Sequence, residues 1–113
     1  MLHRDKAILW DIAHAAEEIS EFVRDVTQKD FEQNRLVRYA VERQLMVIGE
    51  AANRLSDELK AASPDIPWRQ IIGMRNLLAH EYGEIVAERV WLTAVQHVPT
   101  LLRTVSELIS GSA

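Results

Sequence analysis

The chain has 113 residues, of which 48% are hydrophobic and 27% charged, with a formal net charge of −4. This length suits one domain with a single core, and the composition is that of an ordinary soluble globular protein rather than a disordered one. The acidic balance argues against a protein that holds long nucleic acids by its overall field, because that mode needs many phosphate contacts. We therefore expect any contact with RNA or a nucleotide to be local.

The sequence also bears on the cellular compartment. There is no cysteine, which excludes disulfides and thiolate chemistry and fits a reducing compartment. The start, MLHRDKAILWDIAHAAEE, is charged from the third position and has no long apolar run, so we expect neither a signal peptide nor a membrane anchor. These features predict a cytoplasmic protein with no membrane partner.

Two amphipathic helices are predicted in the first half of the chain. Apolar residues recur at steps of three and four over about residues 4–26 and again over about residues 35–60, with TQKDFEQN interrupting the pattern between them. Gly49 lies inside the second helix, where it costs about 1 kcal/mol relative to Ala, and a close helix crossing would explain it. Glu50 follows, and we expect its side chain to face solvent in preference to a cleft in the bundle.

Two further helices are predicted in the second half. AASPDIPW is typical of a turn, and Pro67 suits the first position of a helix because its missing N–H is not needed there. This third helix is expected over about residues 67–81, with a stop near Gly83. The fourth is expected over about residues 86–109, with a kink at Pro99.

No segment alternates between apolar and polar residues with a period of two, so no strand is predicted. Helices joined by short connections predict an all-α antiparallel bundle that forms a single domain over residues 1–113. His3, His14 and His97 have no partners at metal-ligand spacing, and the chain has no H-E-x-x-H motif or Gly-rich phosphate loop. We therefore expect no metal site and no cofactor.

The stretch GMRNLLAHEYG, residues 73–83, places a polar arc on the third helix. At about 100° per residue, Tyr82 lies about 20° from Arg75 on a helical wheel, and Asn76 and His80 follow on the same side. Small residues on this arc, Ala79 and Gly83, would let a backbone or a ligand come close. The apolar residues occupy the opposite arc; they are Ile71, Met74, Leu77 and Leu78. Glu81 would also fall there, which predicts that the helix unwinds just after His80.

An arginine with a histidine is a minimal set for phosphoryl chemistry. The guanidinium of Arg75 can stabilise a phosphate and its transition state, while the imidazole of His80 can exchange a proton with a ribose 2′-OH or a leaving oxygen. Efficient cleavage uses both an acid and a base, and a symmetric dimer would supply two copies of each residue. The same spacing also arises in helices where the histidine is only a favourable partner of the helix dipole.

The motif resembles a known signature. MRNLLAHEYG is similar to the signature of the HEPN superfamily, specifically of its HepT-like toxin branch, in which Arg, four residues, His, one residue and Tyr follow in order. The matching positions are Arg75, His80 and Tyr82. The flanking segments ERQLMVIGEAANRLS, IPWRQIIGMRN and VWLTAVQHVPTLL also resemble that branch, so the likeness covers about residues 5–109.

The resemblance implies a four- to five-helix HEPN-like bundle that forms a homodimer with the motif at its interface. It implies a metal-independent ribonuclease that acts as the toxin of a type VII-like toxin–antitoxin system. His80 would be the general base or acid, Arg75 would hold the scissile phosphate, and Asn76 would add a supporting hydrogen bond. The partner would be an MNT-type nucleotidyltransferase antitoxin that transfers AMP to Tyr82. A short RNA substrate such as a tRNA end would need few contacts and so suits the acidic chain.

Two alternatives stay open at the level of sequence. In one, the protein is the non-catalytic, nucleotide-binding partner subunit of a minimal nucleotidyltransferase. In the other, it is a plain helical scaffold in which Arg75 and His80 are interface ion partners, for instance of Glu81 or Glu84.

Overall fold

Helices account for nearly all of residues 3–80 and 84–111, which are the residues that the computed structural model describes. No strand occurs in these ranges, so the predicted all-α class is confirmed. In chain order the α-helices are α1 (His3–Val23), α2 (Gln28–Gln33), α3 (Arg35–Arg54), α4 (Asp57–Ala62), α5 (Trp68–His80), α6 (Glu84–Leu92) and α7 (Val98–Gly111). A π-helical turn, Thr93–His97, joins α6 to α7. No helix within the described ranges is long and apolar enough to cross a membrane.

The core lies where α1 packs against α3 and α7. Asp5 at the start of α1 accepts a hydrogen bond from Ser56, just after the end of α3. Glu18, later in α1, accepts one at 2.9 Å from Gln44 Nε2, earlier in α3. The two helices are therefore antiparallel. The apolar stripes predicted from the sequence meet here and exclude water. The buried residues that these three helices contribute include Ile8, Leu9, Ile12, Ala16 and Ile19 of α1, Val41, Leu45, Ile48 and Ala52 of α3, and Val98, Leu101 and Val105 of α7.

The segment predicted as an interruption, TQKDFEQN, contains the short helix α2. Thr27 Oγ1 caps this helix by accepting from the N–H of Asp30 at 3.1 Å, and Asn34 Oδ1 caps α3 by accepting from the N–H of Val37 at 3.2 Å. Both are residue types that favour helix N-caps. Phe31 of α2 is fully buried, with its ring 5.3 Å from that of Trp91 in α6. The interruption therefore contributes a buried aromatic side chain to the core.

The prediction of one helix over residues 35–60 is wrong, because the structure divides this range. α3 ends at Arg54, Leu55 is extended, and Ser56 begins α4 as its N-cap, accepting from the N–H of Leu59 at 3.2 Å. A serine followed by Asp57 and Glu58 in the first turn is a helix-start signal that the apolar periodicity hid.

The junction between α3 and α4 is fastened to the start of α1. The buried carboxylate of Asp5 accepts from the Ser56 N–H at 2.9 Å and from its hydroxyl at 2.6 Å. Arg4 Nη2 donates to the Arg54 carbonyl at 2.7 Å. Burial raises the pKa of Asp5, but the hydrogen bonds from Ser56 and the charge of Arg4 lower it more, so its pKa lies below the ordinary value. The ionised carboxylate is therefore the form that the fold stabilises.

We expect Asp5→Ala to lower the free energy of unfolding by about 1–3 kcal/mol at neutral pH, because the Ser56 N–H would lose its partner. Asp11→Ala, at an exposed position on the same helix, is the matched control and should change little. Urea unfolding measures both. Because the folded pKa of Asp5 is lowered, its contribution is present above the unfolded pKa and is lost as the pH falls through the folded one. Equal stability of the two variants at pH 7 would contradict this role.

The predicted fourth helix is interrupted by the π-helical turn, which ends two residues before Pro99. In a regular α-helix the proline ring would clash with the carbonyl four residues earlier, that of Val95, which lies within this turn. A π turn widens the helix locally. We attribute the interruption to Pro99.

Candidate functional site

The crossing of α3 over α5 is centred on Gly49. A Cβ built at Gly49 would lie 3.2 Å from the carbonyl oxygen of Ile71 and 3.4 Å from the Cβ of Arg75. Any side chain here would press on the backbone of α5, so the glycine allows the two helices to approach closely. The predicted reason for Gly49, a close helix crossing, is confirmed, and the residue on the other side of the crossing is the motif arginine.

Arg75 forms an ion pair across the same crossing. Its Nη1 lies 3.2 Å from Oε1 of Glu50, and the two side chains are 29% and 58% exposed. The expectation that Glu50 faces solvent is confirmed, but its carboxylate also contacts the motif. The scaffold alternative named Glu81 and Glu84 as ion partners, and the side chains of both lie outside the described part of the structure.

The remaining motif residues on α5 face outward. Asn76 and His80 are exposed, and so is Ala79 between them. His80 is five residues beyond Arg75, so their Cα atoms are separated by about 7.5 Å along the helix axis. Tyr82 lies outside the described residues, as does the predicted unwinding after His80. The structure therefore places Arg75, Asn76 and His80 on one helix with their side chains partly or fully accessible.

The apolar arc of α5 packs on the core without being fully buried. Ile71, Met74 and Leu78 of this arc contact core residues, yet each stays partly exposed, and Leu77 is also partly exposed. Only Trp68 is buried among the 13 residues of the helix. Its indole N–H donates to the Ser63 carbonyl at 3.2 Å, which fixes the start of α5. In a single chain, α5 is thus a surface helix whose apolar arc is only partly buried.

A second acidic residue lies on the side of α3 that crosses α5. Glu42 is seven residues, or about two turns, before Gly49 and so occupies the same helix face. Burial raises the pKa of Glu42, and the charge of Arg38 offsets part of that effect. The uncharged form of Glu42 is therefore more favoured than in a fully exposed glutamate.

Two clefts in the described part of the structure lie near the motif helix or its neighbour α3, and neither includes Arg75, Asn76 or His80. The first, of about 810 Å³, lies around the α2–α3 junction and includes Asn34 and Tyr39. The second, of about 510 Å³, lies beside α5 and includes Gln70, Ile71 and Met74, together with His97 of the π-helical turn. No residue from Arg75 to His80 lines either cleft. Arg75, Asn76 and His80 instead lie on the partly or fully exposed surface of α5.

Metal ligands are not gathered at this surface. Within residues 3–80 and 84–111, no group of three or more His, Asp and Glu side chains could hold a metal ion.

A model of the family described as Ribonuclease HepT-like matches residues 12–108. A protein of Methanocaldococcus jannaschii described as a candidate RNase is 36% identical over 106 residues, which are 93% of this chain and 97% of that protein. A probable ribonuclease HepT of Thermococcus cleftensis is 37% identical over 101 residues, 89% of this chain and 92% of that one. A candidate RNase of Caldanaerobacter subterraneus is 32% identical over 98 residues, 87% and 88% of the two chains. No solved structure matches the chain significantly.

Proposed function

The chain belongs to the HepT-like ribonuclease family, and we propose that it is a metal-independent RNA endonuclease whose active site is built on Arg75 and His80 of α5. The observation that most supports the proposal is the environment of Arg75. This arginine is held at the Gly49 crossing, yet its side chain remains 29% exposed on an open surface. A guanidinium fixed at its base and accessible at its tip is suited to a phosphate of a polymeric substrate.

The proposed reaction is an internal transfer of the phosphoryl group. The imidazole of one His80 takes the proton of a ribose 2′-OH, and that oxygen attacks the adjacent phosphorus. The bond from phosphorus to the 5′-oxygen breaks, and the leaving oxygen takes a proton from the other His80 of a dimer. The products are a 2′,3′-cyclic phosphate and a 5′-hydroxyl. Arg75 neutralises the charge that develops on the phosphate, and Asn76 donates a supporting hydrogen bond.

A homodimer through α5 is part of the proposal. One chain offers a single motif histidine, whereas this mechanism uses an acid and a base. Ile72 and Leu77, on either side of the exposed face of α5, are only partly buried in a single chain and provide apolar surface that a second copy would cover. A two-fold axis there would bring the two copies of Arg75 and His80 together, since an isologous contact uses the same patch on both subunits.

The proposed biological role is that of the toxin in a type VII-like toxin–antitoxin system. The antitoxin would be an MNT-type nucleotidyltransferase that silences the enzyme by transferring AMP to Tyr82. Tyr82 is only two residues after His80 in the sequence, so an adenylyl group there would bring charge and bulk close to the phosphate site. With a net charge of −4, the protein is suited to a short RNA target such as a tRNA end, bound in the cytoplasm through few phosphates.

Expression in a cell that lacks the partner tests this role. Wild-type protein should slow growth and fragment cellular RNA, while Arg75→Ala at the same yield should restore both growth and RNA integrity, because removing a transition-state donor costs on the order of 100-fold in rate. Colony counts and RNA gels give the readouts. Equal growth and intact RNA with both proteins would contradict the proposal. Binding of ATP or AMP without cleavage would instead favour the partner-subunit alternative.

A further inference from the structure

Arg75 is held at two points by neighbouring residues of α3. At its base, its Cβ lies 3.4 Å from the position that a Cβ at Gly49 would occupy, which fixes the distance between the helices. At its tip, its Nη1 lies 3.2 Å from the carboxylate of Glu50. One pair of adjacent residues, Gly49 and Glu50, therefore sets both where this side chain starts and where its guanidinium points.

The ion pair is too accessible to be explained by stability. The Glu50 side chain is 58% exposed, and pairs at such positions contribute little to folding because water and salt screen them. The ion pair can nevertheless restrict the conformation of the Arg75 side chain. An arginine side chain has many rotamers, and ordering it only when substrate binds would cost part of the binding energy.

The contact leaves room for a phosphate. The ion pair runs through Nη1, whereas a guanidinium presents five N–H donors in a planar fork. A carboxylate at one edge turns the opposite edge of the fork outward, where two parallel hydrogen bonds to phosphate oxygens can form. Glu50 can thus orient Arg75 without occupying the whole of its binding edge.

We propose that Glu50 is a positioning residue for Arg75: its carboxylate orients the guanidinium so that the remaining donors face the scissile phosphate. The inference rests on the proposed ribonuclease function and adds a residue to that site. Its carboxylate also carries a negative charge beside an anionic substrate. Glu50 therefore raises the rate of the chemical step while weakening ground-state binding of RNA.

This pair of effects gives a specific kinetic signature. Glu50→Ala should lower kcat on the order of 100-fold, because a misplaced catalytic group loses that much, and it should lower KM because the repulsion is gone. Glu50→Gln keeps an oxygen that accepts from Nη1 but removes the charge. It should keep kcat within about threefold of wild type and also lower KM.

The assay is steady-state cleavage of RNA by the full-length protein in a metal-chelating buffer, with melting temperatures recorded for each variant. Glu107→Gln removes the same charge at an exposed position on α7 and should leave kcat and KM unchanged. Arg75→Ala is measured alongside. If Glu50→Ala fails to fold, Glu50→Ser, whose side chain is too short to reach Nη1, takes its place in the comparison with Glu50→Gln.

The outcomes separate the inference from the function on which it rests. Loss of kcat in Glu50→Ala with rescue in Glu50→Gln supports positioning. Wild-type kcat in Glu50→Ala, with Arg75→Ala inactive, overturns the inference and leaves the proposed function standing. Equal loss of kcat in Glu50→Ala and Glu50→Gln also overturns it, since a carboxamide should still orient the guanidinium. Full activity of Arg75→Ala would overturn the proposed function itself.

Discussion

Replacing His80 with alanine is expected to lower the rate constant of RNA cleavage by about 10²–10⁴-fold, the usual contribution of a positioned proton-transfer group. His80 is the only histidine among the residues of the motif helix α5, Trp68–His80. The exposed position of His80 means that the substitution removes no core contact, so the loss should appear in kcat and not in stability.

The matched control for this substitution is His14→Ala. His14 is also an exposed histidine on a helix, and its ring stacks on Trp10 with centroids 3.5 Å apart, far from the motif in sequence and on another helix, α1. Single-turnover cleavage of RNA gives the rate constants. His14→Ala should cleave at the wild-type rate. A wild-type rate in His80→Ala, with a normal melting temperature, would remove His80 from the mechanism.

The second large effect is expected at Tyr82. The partner nucleotidyltransferase would transfer AMP from ATP to the phenolic oxygen of Tyr82, with pyrophosphate as the leaving group. The modified protein should lose cleavage by at least the ~10²–10³-fold that removing a transition-state donor costs, because the adenylyl phosphate would compete for Arg75. Tyr82→Phe cannot accept the group and should stay active, and therefore toxic, in the presence of the partner.

The sequence supplies a matched control for this experiment, since Tyr39 is the other tyrosine of the two in the chain. It is 57% exposed on α3 and so is accessible to a modifying enzyme. Intact mass after co-expression with the partner should show added adenylyl units on wild type and on Tyr39→Phe, and none on Tyr82→Phe. An unmodified wild type, or modification that survives in Tyr82→Phe, would contradict the assignment.

Periodicity predicted the parts of the fold that depend on burial alone. The apolar stripes on α1, α3 and α7 form the core, and the apolar arc of α5 faces it. Burying apolar surface is favourable regardless of which helix carries it, so periodicity alone predicts these faces. Gly49 pointed to a close crossing because a mid-helix glycine needs a compensating contact. These inferences needed no knowledge of how one helix is aligned with another.

The misses have a common physical cause. The division of residues 35–60 depends on the cap at Ser56 and on its bonds to Asp5, a residue 51 positions away. The ion pair of Glu50 with Arg75 depends on the alignment of α3 on α5. Local propensity contains neither the hydrogen bonds of Ser56 to Asp5 nor the ion pair, because both arise when distant segments meet. In contrast, the N-cap signal of Ser56 was local and could have been found.

The central claim is that the α5 motif cleaves RNA by the 2′-OH route without a metal, and the most direct test is the chemistry of the new RNA ends. Purified protein is incubated with total RNA in excess EDTA, and the ends are identified by enzymatic labelling and mass spectrometry. We predict 5′-hydroxyl and 2′,3′-cyclic phosphate ends with wild type, and none with His80→Ala or Arg75→Ala. Uncut RNA with wild type, 5′-phosphate ends, or the same ends with both variants would contradict the account.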